Sequence, residues 1–247
     1  MTQRHLLIAG QGRSGSTLFF NMLRHTLQGF SLPHNEIRAG HVIDLPDSYC
    51  TKRPFDIFDI PNIVRSAAGA GKMLDLVITL RDPRDILTSR HRRVPDDYFY
   101  AADHSYFIAA KAATPTMPGF LQVHKAIMDV TRSGLFPRGI FFLKYEDLVE
   151  NPDAIQSALA QGFGLEFQGS FRDFDKQHIP EELDAAMNGV RALETTRRAK
   201  WRAPEHRARI IDQFTRFPVL HDILISLGYE ADQTWFDALL DGEAMAS

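Results

Sequence analysis

An α/β fold in a single domain, with a central parallel sheet flanked by helices, is what this sequence predicts. Three observations carry that expectation. Short β-rich apolar runs occupy residues 6–9, 74–80 and 140–143, and each is closed by glycine or charge, as buried strands are. Helix-patterned segments alternate with them, the order expected of a parallel sheet covered on both faces. At 247 residues the chain is long enough to bury one substantial core.

Taken in order, Leu6-Leu7-Ile8-Ala9 stops at Gly10, and residues 17–26 follow with apolar side chains at helical spacing. Strand, glycine turn and helix together open a βαβ unit. Residues 74–80 form the second strand, and Arg81-Asp82-Pro83-Arg84 follows it. A helix is expected from Asp85 onward, with Pro83 near its start as proline prefers. Ile140-Phe141-Phe142-Leu143 is the third strand, ending at Lys144-Tyr145-Glu146-Asp147, and helices are expected over 153–161 and 204–214. Residues 31–61 and 94–120 lack periodicity and read as binding loops or lids. Neither repeat nor linker is evident, so one domain is expected over 1–247, with its core at about 5–230 and a tail at 231–247.

Composition narrows the function. With 28 basic and 31 acidic residues the net charge is −3, which excludes a broadly cationic surface for nucleic acid. Any anion site must be local. The one cysteine, Cys50, cannot form an internal disulfide. No window approaches roughly 18 uninterrupted apolar residues, and the first apolar run is too short for a signal peptide. The expectation is a soluble, cytoplasmic protein without a membrane span. Its oligomeric state is not legible.

Gly10-Gln11-Gly12-Arg13-Ser14-Gly15-Ser16-Thr17 follows a strand and opens a helix. Backbone N–H groups in such a turn face an anion, and the helix N-terminus adds favourable partial charge. The spacing nearly satisfies G-x-x-x-x-G-K-[ST], yet Ser16 stands at the lysine position. A kinase needs that lysine and a carboxylate to organise magnesium, whereas the second strand delivers Arg81. The loop reads as a cradle for an anion held without a metal. A degenerate kinase-like loop, a non-catalytic anion-binding protein and a plain structural turn are the competing readings.

Arg13-Ser14-Gly15-Ser16-Thr17-Leu18 resembles the 5′-phosphosulfate loop of sulfotransferases that use PAPS (3′-phosphoadenosine 5′-phosphosulfate), in the form common in bacterial and Golgi-type members. Arg81-Asp82-Pro83-Arg84-Asp85-Ile86-Leu87-Thr88-Ser89 resembles the family's 3′-phosphate segment, in which the arginine and the serine eight residues later hold that phosphate. Two turns of helix would bring Ser89 to the side of Arg81. Arg93, Tyr145 in a Y-E-D-L strand end, and Lys200 beside Trp201 are weaker matches. Arg197 and Arg198 are neighbours of uncertain role. The R-K-G positions of cytosolic members hold Glu194, Thr195 and Thr196. The resemblance covers residues 6–228 and implies a P-loop-like sulfotransferase fold.

It also implies the chemistry: sulfuryl transfer from PAPS to an acceptor hydroxyl, releasing adenosine 3′,5′-bisphosphate. Amides of residues 14–18 would hold the 5′-phosphosulfate, and Arg13 with Ser16 or Thr17 would stabilise the leaving oxygen. Glu36, in a Glu36-Ile37-Arg38 motif similar to that of tyrosylprotein members, is the expected base, with Arg38 orienting it or touching sulfuryl oxygens. His34, His41 and His104 are rivals, and Lys52 in Thr51-Lys52-Arg53 is a candidate sulfuryl contact. Residues 98–107 read as an aromatic acceptor pocket or a core helix. The acceptor is expected to be a carbohydrate, lipid or small metabolite.

Overall fold

A computed structural model describes residues 3–109, 112–176 and 199–242. The described strands are β1 (Arg4–Gly10), β2 (Tyr49–Lys52), β3 (Met73–Leu80), β4 (Ser105–Ala109), β5 (Ala112–Thr116) and β6 (Phe141–Lys144). The described helices are α1 (Ser16–Thr26), α2 (Ile60–Gly69), α3 (Pro83–Leu87), α4 (Phe120–Arg132), α5 (Tyr145–Glu150), α6 (Pro152–Phe163), α7 (Arg207–Arg216), α8 (Val219–Ser226) and α9 (Thr234–Asp241). The chain divides into two compact units, residues 1–81 with 123–195, and residues 82–122 with 196–247.

The first unit is built on a parallel sheet of order β2-β1-β3-β6. Leu6, Leu7, Ile8 and Ala9 of β1 are all fully buried. A strand covered on both faces needs a continuous apolar run, and that run made β1 legible. Phe19, Phe20, Met22 and Leu23 of α1 join Leu6 and Ile8 in one core, each fully buried large side chain contributing about 1.5–3 kcal/mol. Register sets Gly10 beside Thr79 and Leu80 beside Lys144. Because the strands are parallel, their carboxyl ends share one edge. The strand order reverses between β1 and β3, the switch point at which open α/β sheets take ligands.

At the opposite edge, buried Asp75 pairs with Arg4 (2.5 Å) and Arg138 (3.1 Å). Both arginines also donate to the Phe163 carbonyl, at 2.7 and 2.9 Å. They thereby place positive charge on the last turn of α6, where the helix dipole favours it.

The second unit holds α3, the antiparallel hairpin β4–β5 and helices α7 to α9. Several expectations need correction. Residues 31–61 contain β2, two short 3₁₀ turns and the start of α2. Residues 94–120 contain the hairpin, so the core-helix reading of residues 98–107 fails. The segment expected as a helix over 204–214 begins as a 3₁₀ turn, Pro204–His206, before α7.

α3 is only five residues long, and Ser89 lies beyond it rather than two turns along it. The Thr88 hydroxyl donates to the Arg84 carbonyl at 2.7 Å, and the Ser89 carbonyl accepts from Phe99 N–H at 2.8 Å. Local side-chain bonding and pairing with residues 98–99 end the helix there.

Buried His5 places Nε2 2.8 Å from the Thr51 hydroxyl. Burial first, and the charge of Lys72 second, push its pKa from 6.5 down to about 4. Between those values the unfolded chain binds the extra proton, so this contribution is present above pH 6.5 and is lost as pH falls toward 4. His124, His206 and His221 shift in the same direction. His5→Gln should remove about 2–3 kcal/mol of acid destabilisation, measured as the difference in urea stability between neutral pH and the foot of that window. Identical pH slopes in the two proteins would take His5 out of the acid response.

Candidate functional site

Each strand of the parallel sheet delivers one feature at its carboxyl end. β1 leads into the glycine loop and α1, β2 ends on Lys52, β3 is followed by Arg81, and β6 is followed by Tyr145. The loop is closely tied to its neighbours. Gly10 has φ +122, and a Cβ there would stand 2.8 Å from the Thr79 carbonyl oxygen. The Ser14 hydroxyl donates to the Gln11 carbonyl at 2.5 Å and meets Thr79 Oγ1 at 2.7 Å. That hydroxyl is committed to holding the loop on β3, which leaves only the amide of Ser14 for a ligand. Gly15 caps α1 in the left-handed region at φ 82, without a side-chain cap. The first-turn N–H groups of Ser16, Thr17 and Leu18 therefore have no intrahelical partner and suit an anion.

Tyr145 is nearly buried, and its ring occupies the space a Cβ on Gly15 would need. The Arg81 guanidinium lies 4.4 Å over the same ring and donates to the Arg13 carbonyl at 3.3 Å. Arg13, Gly15, Arg81 and Tyr145 thus converge at one end of the sheet. Loss of hydration first, and the charge of Arg81 second, lower the pKa of Arg13. An anion bound there would relieve the repulsion between the two guanidiniums.

A second cluster joins the loop to Glu36. Lys52 is 5% exposed, and its Nζ lies 2.5 Å from Glu36 Oε2 and 3.2 Å from Thr17 Oγ1. The segment carrying Glu36 is moored at both ends. Cys50 N–H donates to the Ser31 carbonyl at 3.0 Å, Ala39 N–H donates to Asp56 Oδ2 at 2.9 Å, and Arg24 donates to the Pro33 carbonyl. Glu36 pairs with Lys52, not with Arg38, whose exposed side chain makes no ion pair with it. The cation beside the Glu36 carboxylate is thus Lys52. Its membership of β2 was the missing signal, since that strand brings it beside α1. His34 meets Arg24 at 3.5 Å, and His41 is exposed in a 3₁₀ turn.

Ser89, Arg93 and Lys200 belong to the second unit. Ser89 is half-buried, while Arg93 and Lys200 are exposed. Trp201 is buried and packs on Arg84 instead of standing open. In the same unit His104 pairs with Asp103 at 2.8 Å. Arg197 and Arg198, with Glu194, Thr195 and Thr196, lie outside the described residues. Among the described residues no cluster of three His, Cys, Asp or Glu is placed to hold a metal ion, and no helix is long and apolar enough to cross a membrane.

Two solved structures share this architecture. One is the sulfotransferase domain from the Synechococcus PCC 7002 olefin synthase, with 15% identity over 81% of this chain and 87% of that chain, TM-score 0.52. The other is the sulfotransferase domain from the curacin biosynthetic pathway, with 13% identity over 87% of this chain and 98% of that chain, TM-score 0.50. The fold is that of a sulfotransferase domain. No family model and no curated protein sequence matches the chain.

Within this sulfotransferase fold the loop has no room for a side chain at residue 15. Gly15→Ala should cost about 1–3 kcal/mol through left-handed strain and collision with Tyr145, read as a lower urea midpoint. Unchanged stability would mean that Tyr145 does not fix the loop.

Proposed function

We propose that the protein is a sulfotransferase that moves a sulfuryl group from PAPS to an acceptor hydroxyl on a carbohydrate, lipid or small metabolite. The observation that carries this reading is Lys52, whose ammonium touches both the Glu36 carboxylate and the hydroxyl of Thr17 at the start of α1. A base and an anion cradle meet at one cation.

In this reading the α1 amides and Arg13 hold the 5′-phosphosulfate, and Arg81 takes the 3′-phosphate. Ser89, Arg93 and Lys200 are assigned to the same nucleotide on the sequence resemblance alone. Glu36 accepts the acceptor's proton as its oxygen forms the new O–S bond. The bond from sulfur to the 5′-phosphate oxygen breaks, and the electron pair leaves with adenosine 3′,5′-bisphosphate. In-line positioning and electrostatic stabilisation do most of the work in transfers of this kind. Thr17, Arg13 and the loop amides stabilise the charge that grows on the leaving phosphate. Lys52 orients Glu36 and lies within reach of the sulfuryl oxygens once the donor is bound.

A thermal-shift comparison tests the donor, because a ligand that binds only the folded state raises its stability. Adenosine 3′,5′-bisphosphate should stabilise the protein more than ATP does, and the reverse order would favour a kinase-like enzyme. Glu36→Ala should keep the affinity for adenosine 3′,5′-bisphosphate while turnover falls about 10²–10⁴-fold; unchanged turnover would remove Glu36 from the mechanism. Arg81→Ala should weaken adenosine 3′,5′-bisphosphate by about 10–100-fold and leave adenosine 5′-phosphosulfate nearly untouched. Equal losses for the two would place recognition of the 3′-phosphate elsewhere.

A further inference from the structure

We propose that Arg84 is a positioning residue for the donor's 3′-phosphate, a clamp that fixes where Ser89 leaves α3 and where the turn carrying Lys200 is seated. The proposal rests on the sulfotransferase reading and extends it to residues that touch no substrate.

Arg84 is 3% exposed in the first turn of α3. Its guanidinium carbon lies 4.0 Å from the ring centre of Trp201 and 4.6 Å from that of Trp235. Asp82 accepts from Nε at 3.0 Å and from Nη2 at 2.8 Å, and Glu230 accepts from Nη1. Burial alone would lower the pKa of this guanidinium, but attraction and hydrogen bonding from Asp82 and Glu230 prevail and raise it. Nε and both terminal nitrogens of the planar group are hydrogen-bonded to carboxylates while two indole rings pack against it, an arrangement that lysine cannot reproduce.

Buried ion clusters of this kind are often no more stabilising than apolar side chains of the same volume. What this one does is hold chain segments in place. The Trp201 N–H donates to Asp85 Oδ1 at 3.1 Å, so the turn Lys200–Arg202 is held to α3 both by its ring and by its backbone. The Arg84 carbonyl accepts from Thr88 N–H at 3.0 Å and from its hydroxyl at 2.7 Å, which ties the residue before Ser89 back to the first turn of α3. Trp235 comes from α9, in the stretch expected from sequence to be a tail. It is buried beside Trp201, with ring centres 5.6 Å apart.

The test is the ratio of dissociation constants for adenosine 5′-monophosphate and adenosine 3′,5′-bisphosphate, measured by calorimetry. These ligands differ only by the 3′-phosphate. The wild-type protein should favour the bisphosphate. Arg84→Lys should lower the ratio by about tenfold, corresponding to about 1.4 kcal/mol, and Trp235→Phe and Glu230→Gln should each lower it several-fold. Affinity for the monophosphate should stay within about twofold, because loss of general structural integrity would weaken both ligands alike. A folded variant set with the wild-type ratio overturns the positioning role and leaves the sulfotransferase reading standing. A wild-type protein indifferent to the 3′-phosphate overturns both. Should Arg84→Lys not fold, Glu230→Gln decides, since Glu230 is partly exposed and its substitution keeps a hydrogen-bond acceptor.

Discussion

The ring of Tyr145 sets the spacing between the glycine loop and Arg81, and the candidate site depends on that spacing. One face of the ring's surroundings requires glycine at residue 15, and the Arg81 guanidinium rests on the ring at 4.4 Å. The bond between Ser14 and Thr79 ties the same loop to β3 a second time. Both ties rest on strand register, since Gly10 faces Thr79 and Leu80 faces Lys144. Donors fixed in this way during folding need little reorganisation when an anion arrives, and preorganised donors are the strongest means of stabilising growing charge.

Lys52 extends the same logic to the next strand. An unpaired ammonium at its depth would be strongly disfavoured, and Glu36 supplies the compensating carboxylate from a more exposed position. The pairing fixes the carboxylate over the start of α1. Arg38, two residues beyond Glu36, faces solvent. Glu36 and Lys52 are 16 apart in sequence and meet because β2 lies beside β1.

How much of this was legible follows from apolar patterning. β1 and β3 lie inside the sheet and β6 at its edge, and each carries an apolar run that could be read directly. β2, with the sequence Tyr-Cys-Thr-Lys, pairs only with β1, and its apolar content is too slight to announce a strand. Its absence from the sequence reading hid the Lys52–Glu36 contact. The helix after Arg81 was expected to run two turns, as far as Ser89, but Thr88 and the pairing of Ser89 with Phe99 end it. Hydrogen bonds to distant backbone leave no periodic trace in a sequence. The Arg84 clamp was hidden for the same reason, since Glu230 lies 146 residues away.

The arginines divide by the company they keep. Arg4 and Arg138 share Asp75, Arg53 has Asp56, and Arg84 has Asp82 and Glu230. In these pairs a carboxylate offsets the desolvation of the guanidinium, and the result is structural. Arg13 has Arg81 as the neighbour that shifts its pKa, and that influence is repulsive. Two like charges brought to one end of the sheet by a stacked ring and a left-handed loop raise the local positive potential, and such a potential favours the approach of an anion.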